Sequence, residues 1–173
     1  PVKWNKDTVE NIIESISLAN KKIKKQNYQE TGKIPIIDQG KQLIGGYTDR
    51  EECKITVKLP LIIFGDHTRA IKYIDFDFAP GADGIKVMKI DEKIIPKYFY
   101  YFLKSINIEN KGYSRHFKIL KEQQINFPED KNIQKKMIQK LDDIFEQFNQ
   151  KRKNILEIKR KNQNRIKGFY KEV

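Results

Sequence analysis

The most constraining feature of this 173-residue chain is its last quarter, where neither proline nor glycine occurs between Pro128 and Gly168. Apolar side chains recur through this stretch mostly at intervals of three and four residues, which is the spacing of one face of an α-helix. The pattern predicts a single helix of about 38 residues, roughly 57 Å long at ~1.5 Å per residue. The apolar seam of this helix comprises Ile133, Met137, Leu141, Ile144, Phe148, Ile155, Ile158 and Ile166.

The predicted seam needs a partner, because a helix of that length exceeds the width of a small globular domain. The stripe is narrow, and most residues on the other faces are Lys, Arg, Gln or Asn, as in a helix that pairs with another helix. We therefore predict that residues 130–173 form a dimerisation and spacer helix in an antiparallel coiled coil. It would follow a globular domain of residues 1–129. The alternative is that the helix folds back onto its own domain.

The net charge of +12 is concentrated in the same part of the chain, because residues 131–173 contribute +8 of it. Between Lys151 and Lys167, eight basic residues accompany one acidic residue, Glu157. A basic excess that is concentrated on one element indicates an acidic partner, and a nucleic acid is the leading candidate. The alternative is that a lysine-rich composition produces the excess and that nothing acidic binds.

Two features bear on where the protein works. The longest purely apolar run, Leu61 to Phe64, has four residues, whereas a membrane-spanning helix needs about 20. The single cysteine, Cys53, cannot form an internal disulfide or a cysteine zinc site, and no charged-then-apolar leader begins the sequence. We expect a cytoplasmic protein that does not enter membranes.

The first 129 residues alternate between helical and β-type patterns, which predicts an α+β domain. A candidate cap at Asp7 and apolar residues at helical spacing predict a helix over residues 7–19. Pro96 begins a second, short amphipathic helix. The predicted strands are residues 34–37, 54–58, 61–64, 71–74 and 85–88. Together they predict a small, curled, mostly antiparallel sheet, in which the continuous apolar run at 61–64 is buried on both faces.

Enzyme chemistry has little support in the sequence. Asp66, His67 and Asp75 are the candidates for a metal-dependent nuclease, but their spacing matches no framework for Zn, Mg or Ca. Cys53 has no histidine near it in sequence, and no glycine-rich phosphate loop occurs. We predict no catalytic residue, metal or cofactor in this chain. The nuclease and a non-catalytic coiled-coil adaptor are the alternative functions.

Polar loops around Gly45-Gly46, after Phe64 and before Phe117 carry side chains suited to DNA. Arginine and lysine contact phosphates or guanine, and glutamine contacts adenine. A sheet that holds such loops rigidly would position them for recognition. The candidate DNA-binding residues are Lys41, Gln42, Tyr47, Arg50, His67, Thr68, Arg69, Lys72, Ser114, Arg115 and His116.

Several strings in the sequence are more specific than its composition. They are Lys33-Ile34-Pro35-Ile36-Ile37-Asp38 with Gly45-Gly46-Tyr47, then Phe64-Gly65-Asp66-His67-Thr68-Arg69 continuing to Gly84, and Gly112-Tyr113-Ser114-Arg115-His116-Phe117 followed by Ile125-Asn126-Phe127-Pro128. These strings closely resemble a common target-recognition domain of the specificity (S) subunits of type I restriction–modification systems. The resemblance spans roughly residues 30–170, and residues 4–25 match the family only loosely.

The resemblance implies a function and a set of partners. An S subunit reads DNA without catalysis, and its methyltransferase (M) subunits bind S-adenosylmethionine and methylate adenine. Restriction (R) subunits join complexes that also cleave. Two recognition domains bind two short half-sites, and the paired long helices set the separation between them. Base-reading residues vary within the family, so the resemblance assigns no roles to individual residues here.

The sequence also departs from the family pattern. It has one recognition domain and one long helix where a typical S subunit has two of each, so it resembles a half-length S subunit or one half of a longer one. After Glu129, residues 130–134 replace the glutamate-glutamine pair that usually follows the proline. A second copy would restore the usual arrangement. We therefore predict a homodimer that reads a bipartite, palindromic site in double-stranded DNA.

Overall fold

A computed structural model describes residues 1–82, 84–109 and 115–169 of the chain. The chain divides into two compact units, residues 1–135 and residues 136–173. The described strands and short helices belong to the first unit, and the second unit consists of helix as far as residue 169. The predicted α+β class, with antiparallel sheets, short helices and a long C-terminal helix, is confirmed.

The chain begins with two strands that are separated by one helical turn. β1 (Trp4–Thr8) leads into α1 (Val9–Ile12), and β2 (Ile13–Ile16) follows directly. The predicted helix over residues 7–19 is therefore wrong beyond this turn. Both apolar residues of α1 are fully buried, so the helical spacing in the sequence correctly indicates this single turn. Beyond α1, pairing of β2 with a distant strand outweighs the helical preference.

The other strands come from the middle and the end of the first unit. They are β3 (Ile34–Ile37), β4 (Gly46–Thr48), β5 (Leu61–Gly65), β6 (Ile71–Ile74), β7 (Ala79–Pro80), β8 (Ile85–Ile90) and β9 (Gln124–Pro128). An antiparallel four-stranded sheet has the order β2, β8, β5, β6. A second sheet has the order β4, β3, β7, with β3 and β7 parallel, and β1 pairs with β9.

β5 lies inside the four-stranded sheet, as its uninterrupted apolar sequence predicts. Ile63 pairs with Val87 of β8 on one side and with Lys72 of β6 on the other. Every residue of β5 is buried, and burial of each large aliphatic side chain contributes ~1.5–3 kcal/mol. The turn that follows Gly65 is therefore attached to a strand whose residues are all buried.

Residues 54–58 do not form the predicted strand. A 3-10 turn, Glu51–Cys53, precedes them, and the backbone N of Ile55 donates one hydrogen bond, to the backbone O of Phe78 at 2.9 Å. Cys53 and Ile55 are buried and Thr56 is exposed. Single apolar side chains anchored in the core thus produce the same alternation of apolar and polar residues as a half-exposed strand.

Two short helices complete the first unit. α2 (Pro96–Ser105) begins at Pro96 as predicted, because the missing N–H of proline costs nothing in a first helical turn. It packs against β5, β6 and β8 and buries Tyr98, Phe99 and Leu103. α3 (Phe117–Lys121) follows His116 and leads into β9.

The predicted long helix is confirmed as α4 (Lys131–Phe169), which has 39 residues. Asp130 caps its start, because its Oδ1 accepts a hydrogen bond from the backbone N of Asn132 at 2.7 Å. Gln134, in the first turn, is fully buried. Its Oε1 accepts a 2.8 Å hydrogen bond from Ile95 N, and its Nε2 donates one of 2.8 Å to Pro128 O. None of the described helices has both the length and the apolar character that crossing a membrane requires.

Candidate DNA interface

Three connections of the first unit meet at the end of the sheet where β5 finishes. They are the β3–β4 loop (residues 38–45), the β5–β6 turn (residues 66–70) and the residues just before α3 (115–116). Thr68 Oγ1 donates a 2.7 Å hydrogen bond to the backbone O of Gln39. The backbone N of His116 donates a 3.1 Å hydrogen bond to the backbone O of Asp66. We refer to these three segments together as the loop cluster.

The loop cluster brings together most of the predicted DNA-binding residues. The exposed members are Lys41, Gln42, Thr68 and Arg115, and the half-buried ones are His67 and Arg69. Their ammonium, guanidinium, amide and hydroxyl groups are the ones that contact phosphates and base edges in protein–DNA complexes. The predicted residue Ser114 lies outside the described residues.

Gln39, from the polar segment around Gly45-Gly46, also belongs to the cluster, although it is not among the candidate DNA-binding residues. Its Oε1 accepts a 3.3 Å hydrogen bond from the backbone N of His67. Gly84 allows this arrangement, because its φ is +69° and a Cβ there would lie 2.6 Å from Gln39 Nε2. The sequence around Gln39 contains only a turn signal, Asp38 to Gly40, and nothing in it indicates contact with a turn 28 residues later.

Lys72 supports the cluster and does not line it. Its side chain is 5% exposed, and its Nζ donates hydrogen bonds to the backbone O of Asp38 at 2.6 Å and of Leu43 at 3.3 Å. Desolvation lowers the pKa of Lys72, and the nearby Asp38 carboxylate opposes this effect. Because the ammonium group is buried and engaged, we revise the predicted DNA contact at Lys72 to a role in holding the β3–β4 loop.

Asp66 and His116 join the β5–β6 turn to α3. His116 is fully buried, and its Nδ1 lies 2.8 Å from the backbone O of Asp66. The Asp66 carboxylate accepts a 2.8 Å hydrogen bond from the backbone N of Phe117 and lies 3.8 Å from Lys86 Nζ. We therefore revise the predicted DNA contact at His116 as well, because a fully buried ring cannot reach a ligand without moving α3.

The nuclease alternative has no support in the described part of the chain. Asp66 is 4% exposed and already engaged with α3, while Asp75 is exposed after β6. No group of three or more His, Cys, Asp or Glu side chains that could hold a metal ion occurs among the described residues.

Arg69 closes the β5–β6 turn with an unusual backbone conformation. Its φ is +59°, in the left-handed region that costs a non-glycine residue roughly 1–2 kcal/mol. The backbone N of Arg69 donates a 2.8 Å hydrogen bond to Gly65 O, and Nη1 donates one of 2.8 Å to the backbone O of Ile108. A guanidinium has several further N–H donors, so Arg69 can brace the turn and also contact a ligand.

Tyr47 and Arg50 are not brought into the loop cluster. Tyr47 lies in β4, where its backbone exchanges two 2.9 Å hydrogen bonds with Gln29. Arg50 is exposed, and its Nε donates a 2.8 Å hydrogen bond to Glu52 Oε1. This hydrogen bond raises the pKa of Arg50 and lowers that of Glu52. The roles of Tyr47 and Arg50 in DNA binding stay predictions.

The predicted seam of α4 becomes more exposed along the helix. Ile133, Met137 and Leu141 are half-buried. The later seam residues are 54% to 69% exposed; they are Ile144, Phe148, Ile155, Ile158 and Ile166. A row of exposed apolar side chains at helical spacing is typical of a surface that packs against another helix. The basic residues of 151–167 are exposed on the same stretch of helix.

Comparisons with known proteins agree with this geometry. A family model described as "Type I restriction modification DNA specificity domain" matches residues 1–160. The chain is also 37% identical over 90 residues to the type I restriction enzyme EcoR124I/EcoR124II specificity subunit of Escherichia coli. That alignment covers 50% of this chain and 22% of the E. coli protein.

Solved structures share the fold at low sequence identity. The type I restriction–modification S subunit from M. genitalium superposes with a TM-score of 0.63 at 18% identity, over 84% of this chain and 40% of that one. The HsdS subunit from Thermoanaerobacter tengcongensis superposes with a TM-score of 0.53 at 12% identity, over 83% of this chain and 38% of that one. The chain thus matches less than half the length of each of these relatives.

Proposed function

The chain belongs to the type I restriction–modification DNA specificity family, and on that premise we propose that it reads one half of a bipartite DNA site. The observation that carries the proposal is the loop cluster, in which three connections present Lys41, Gln42, Thr68 and Arg115 from one end of a buried sheet. Rigid support matters, because recognition needs side chains held within about 0.5 Å of the productive geometry. A module of this size would read only a few base pairs.

We further propose that two copies pair through the seam of α4. The exposed apolar residues from Ile144 to Ile166 support this, since pairing would remove them from water. A two-fold axis would double the number of base pairs read and would make the DNA site an inverted repeat. The length of the paired helices would then determine the spacing between the half-sites.

The proposed partners follow from family membership. Methyltransferase subunits would supply S-adenosylmethionine and the methylation of adenine, and restriction subunits would supply cleavage. This chain would direct them to the site and contribute no catalytic group. Such a complex works on chromosomal DNA in the cytoplasm, which is the location that we propose.

Selection from a random duplex library tests recognition directly. The full chain, alone and together with its methyltransferase subunit, is incubated with the library, and the bound duplexes are sequenced. We expect enrichment of two short inverted half-sites at a fixed spacing. Methylome sequencing of cells that carry both proteins should find methylated adenines in the same motif.

Variants in the cluster and a matched control sharpen this test. Gln42→Ala with Thr68→Ala should degrade the enriched motif. Lys58→Ala with Lys89→Ala should leave it intact, because these exposed lysines flank the opposite end of the sheet. A chain that binds the methyltransferase but enriches no motif would contradict the proposal and favour a coiled-coil adaptor. Enrichment of a single half-site would contradict only the pairing.

A further inference from the structure

A lysine-rich segment is fixed beside the loop cluster. Residues 21–25 contain four lysines around one isoleucine, Ile23, which is 1% exposed. The backbone N of Ile23 donates a 3.0 Å hydrogen bond to Pro80 O, and its O accepts one of 2.6 Å from Ala82 N. The segment is therefore attached to the same β7–β8 connection whose Gly84 accommodates Gln39.

The lysines of this segment have different roles. Lys21 is structural, because its Nζ donates hydrogen bonds to the backbone O of Lys54 at 2.7 Å and of Glu52 at 3.2 Å. Lys24 and Lys25 are exposed. Within the described residues, neither of these two has a carboxylate oxygen within 4.0 Å of its Nζ. No acidic group of the described residues therefore neutralises their charges.

These two lysines and the loop cluster line the same groove. Its volume is about 550 Å³, and Lys24, Lys25 and Gln26 line it together with Gln39, Gly40 and Thr68. Asp38 also lines the groove, but its charge is offset locally. Asp38 Oδ1 accepts a 2.8 Å hydrogen bond from Gly40 N and lies 3.6 Å from Lys72 Nζ. The two charges that remain available to a ligand are those of the lysines.

We propose that this groove holds the sugar–phosphate backbone of one DNA strand, with Lys24 and Lys25 contacting its phosphates. The inference rests on the proposed function and adds to it the contacts that fix the register of the loop cluster on the duplex. Lysine suits the task, because a compact charge on a flexible stem attracts phosphate without reading sequence. DNA is favoured over an acidic protein, because residues of the loop cluster line the same groove.

The salt dependence of binding tests the proposal. Each phosphate contact contributes about 0.9 to the slope of log affinity against log salt concentration. We expect Lys24→Ala with Lys25→Ala to reduce the magnitude of that slope by about 1.8. The affinity for selected and for scrambled duplexes should fall by the same factor, and the enriched motif should stay unchanged. Lys24→Arg with Lys25→Arg should retain the slope. Thermal unfolding checks that each variant is folded.

The matched control is Lys58→Ala with Lys131→Ala, which removes two exposed charges at the opposite end of the sheet from the loop cluster. An unchanged slope in the Lys24/Lys25 variant, or an equal loss in the control, would overturn the inference. Loss of methyltransferase binding with intact DNA affinity would assign the groove to a protein partner and would also overturn it. If the wild-type chain enriches no DNA motif, the proposed function is refuted. If the wild type enriches a motif and the Lys24/Lys25 variant keeps the wild-type salt slope, only the proposed phosphate contacts in the groove are refuted.

Discussion

The Nζ of Lys72 donates a 2.6 Å hydrogen bond to the backbone O of Asp38, between residues that are 34 positions apart in sequence. A second hydrogen bond, of 3.3 Å, reaches the backbone O of Leu43. One buried ammonium group thus fastens the β3–β4 loop at two points. The exposed residues between these points, Lys41 and Gln42, are held in a defined position although they have left the sheet.

Lys72→Met should loosen this loop without removing a phosphate contact. The substitution keeps the aliphatic stem and leaves two backbone carbonyls without their donor, so we expect the free energy of unfolding to fall by about 1–3 kcal/mol. Discrimination between selected and scrambled duplexes should decrease, while the salt slope of binding stays the same. Urea unfolding and anisotropy titrations measure these quantities.

Lys41→Met is the matched control for this variant, because Lys41 is exposed on the same loop. Its free energy of unfolding should change by less than about 0.5 kcal/mol. If Lys72→Met lowered the salt slope and left stability intact, Lys72 would be a DNA contact and the revised role would be refuted.

Gln134→Ala should destabilise the first unit. The substitution removes the acceptor of Ile95 N and the donor to the buried Pro128 O, and an unsatisfied buried group costs about 1–3 kcal/mol. Gln139→Ala is the control, since Gln139 is exposed and its Nε2 donates a 3.0 Å hydrogen bond to Asp143 Oδ1 within α4. In urea unfolding, Gln134→Ala should have a lower free energy of unfolding than Gln139→Ala. Equal stabilities would mean that the start of α4 does not depend on Gln134.

The sequence is informative wherever a local pattern and the tertiary environment agree. α4 and β5 follow directly from apolar spacing and from an uninterrupted apolar run, since nothing else in the chain competes with those structures. The sequence strings that resemble the type I specificity family identify the loops around Gly45 and Thr68. These are the features from which the fold class and the general position of the candidate site could be predicted.

The errors arise where distant residues decide the outcome. Residues 13–16 have helical spacing, but their pairing with β8 is a long-range interaction that no local window contains. Lys72 looks like an exposed strand lysine, because its two carbonyl partners are brought to it only by the folded β3–β4 loop. The hydrogen bonds of Gln39 and Gln134 could not be predicted for the same reason, since their partners are brought to them only by the fold.

Asp7 should give stability a dependence on pH in the acid range. Hydrogen bonds from Asn11 and Lys93 hold the pKa of Asp7 below its usual value of 3.8. Because the folded-state pKa is the lower one, the carboxylate stabilises the fold above the unfolded-state pKa. That contribution disappears as the pH falls through the folded-state pKa.

Denaturation of Asp7→Asn at several pH values tests this expectation. The wild type should be more stable by at most ~1 kcal/mol at about pH 6, as for a partly exposed ion pair. The two proteins should converge in stability at pH values below the folded-state pKa of Asp7. A difference that stays constant down to about pH 2 would show that the carboxylate's charge plays no part.

The basic stretch of α4 should add affinity that is independent of sequence. We expect Arg152→Glu, Lys153→Glu and Arg160→Glu together to weaken binding of selected and scrambled duplexes equally and to reduce the salt slope. Arg152→Lys with Arg160→Lys, which keeps the charges, is the control. An unchanged salt slope in the charge-reversed protein, combined with weaker methyltransferase binding, would assign these residues to a protein interface.

We propose that the exposed seam of α4 pairs two copies of the chain, and light scattering at micromolar concentration measures this pairing. The wild type should have about twice the mass of one 20.6 kDa chain. Ile155→Glu with Ile158→Glu should reduce the mass to that of one chain, whereas Gln150→Glu with Asn164→Glu, at exposed polar positions on the opposite face of the same helix, should not. A wild type that remains at 20.6 kDa, or a seam variant that stays paired, would refute pairing through the seam.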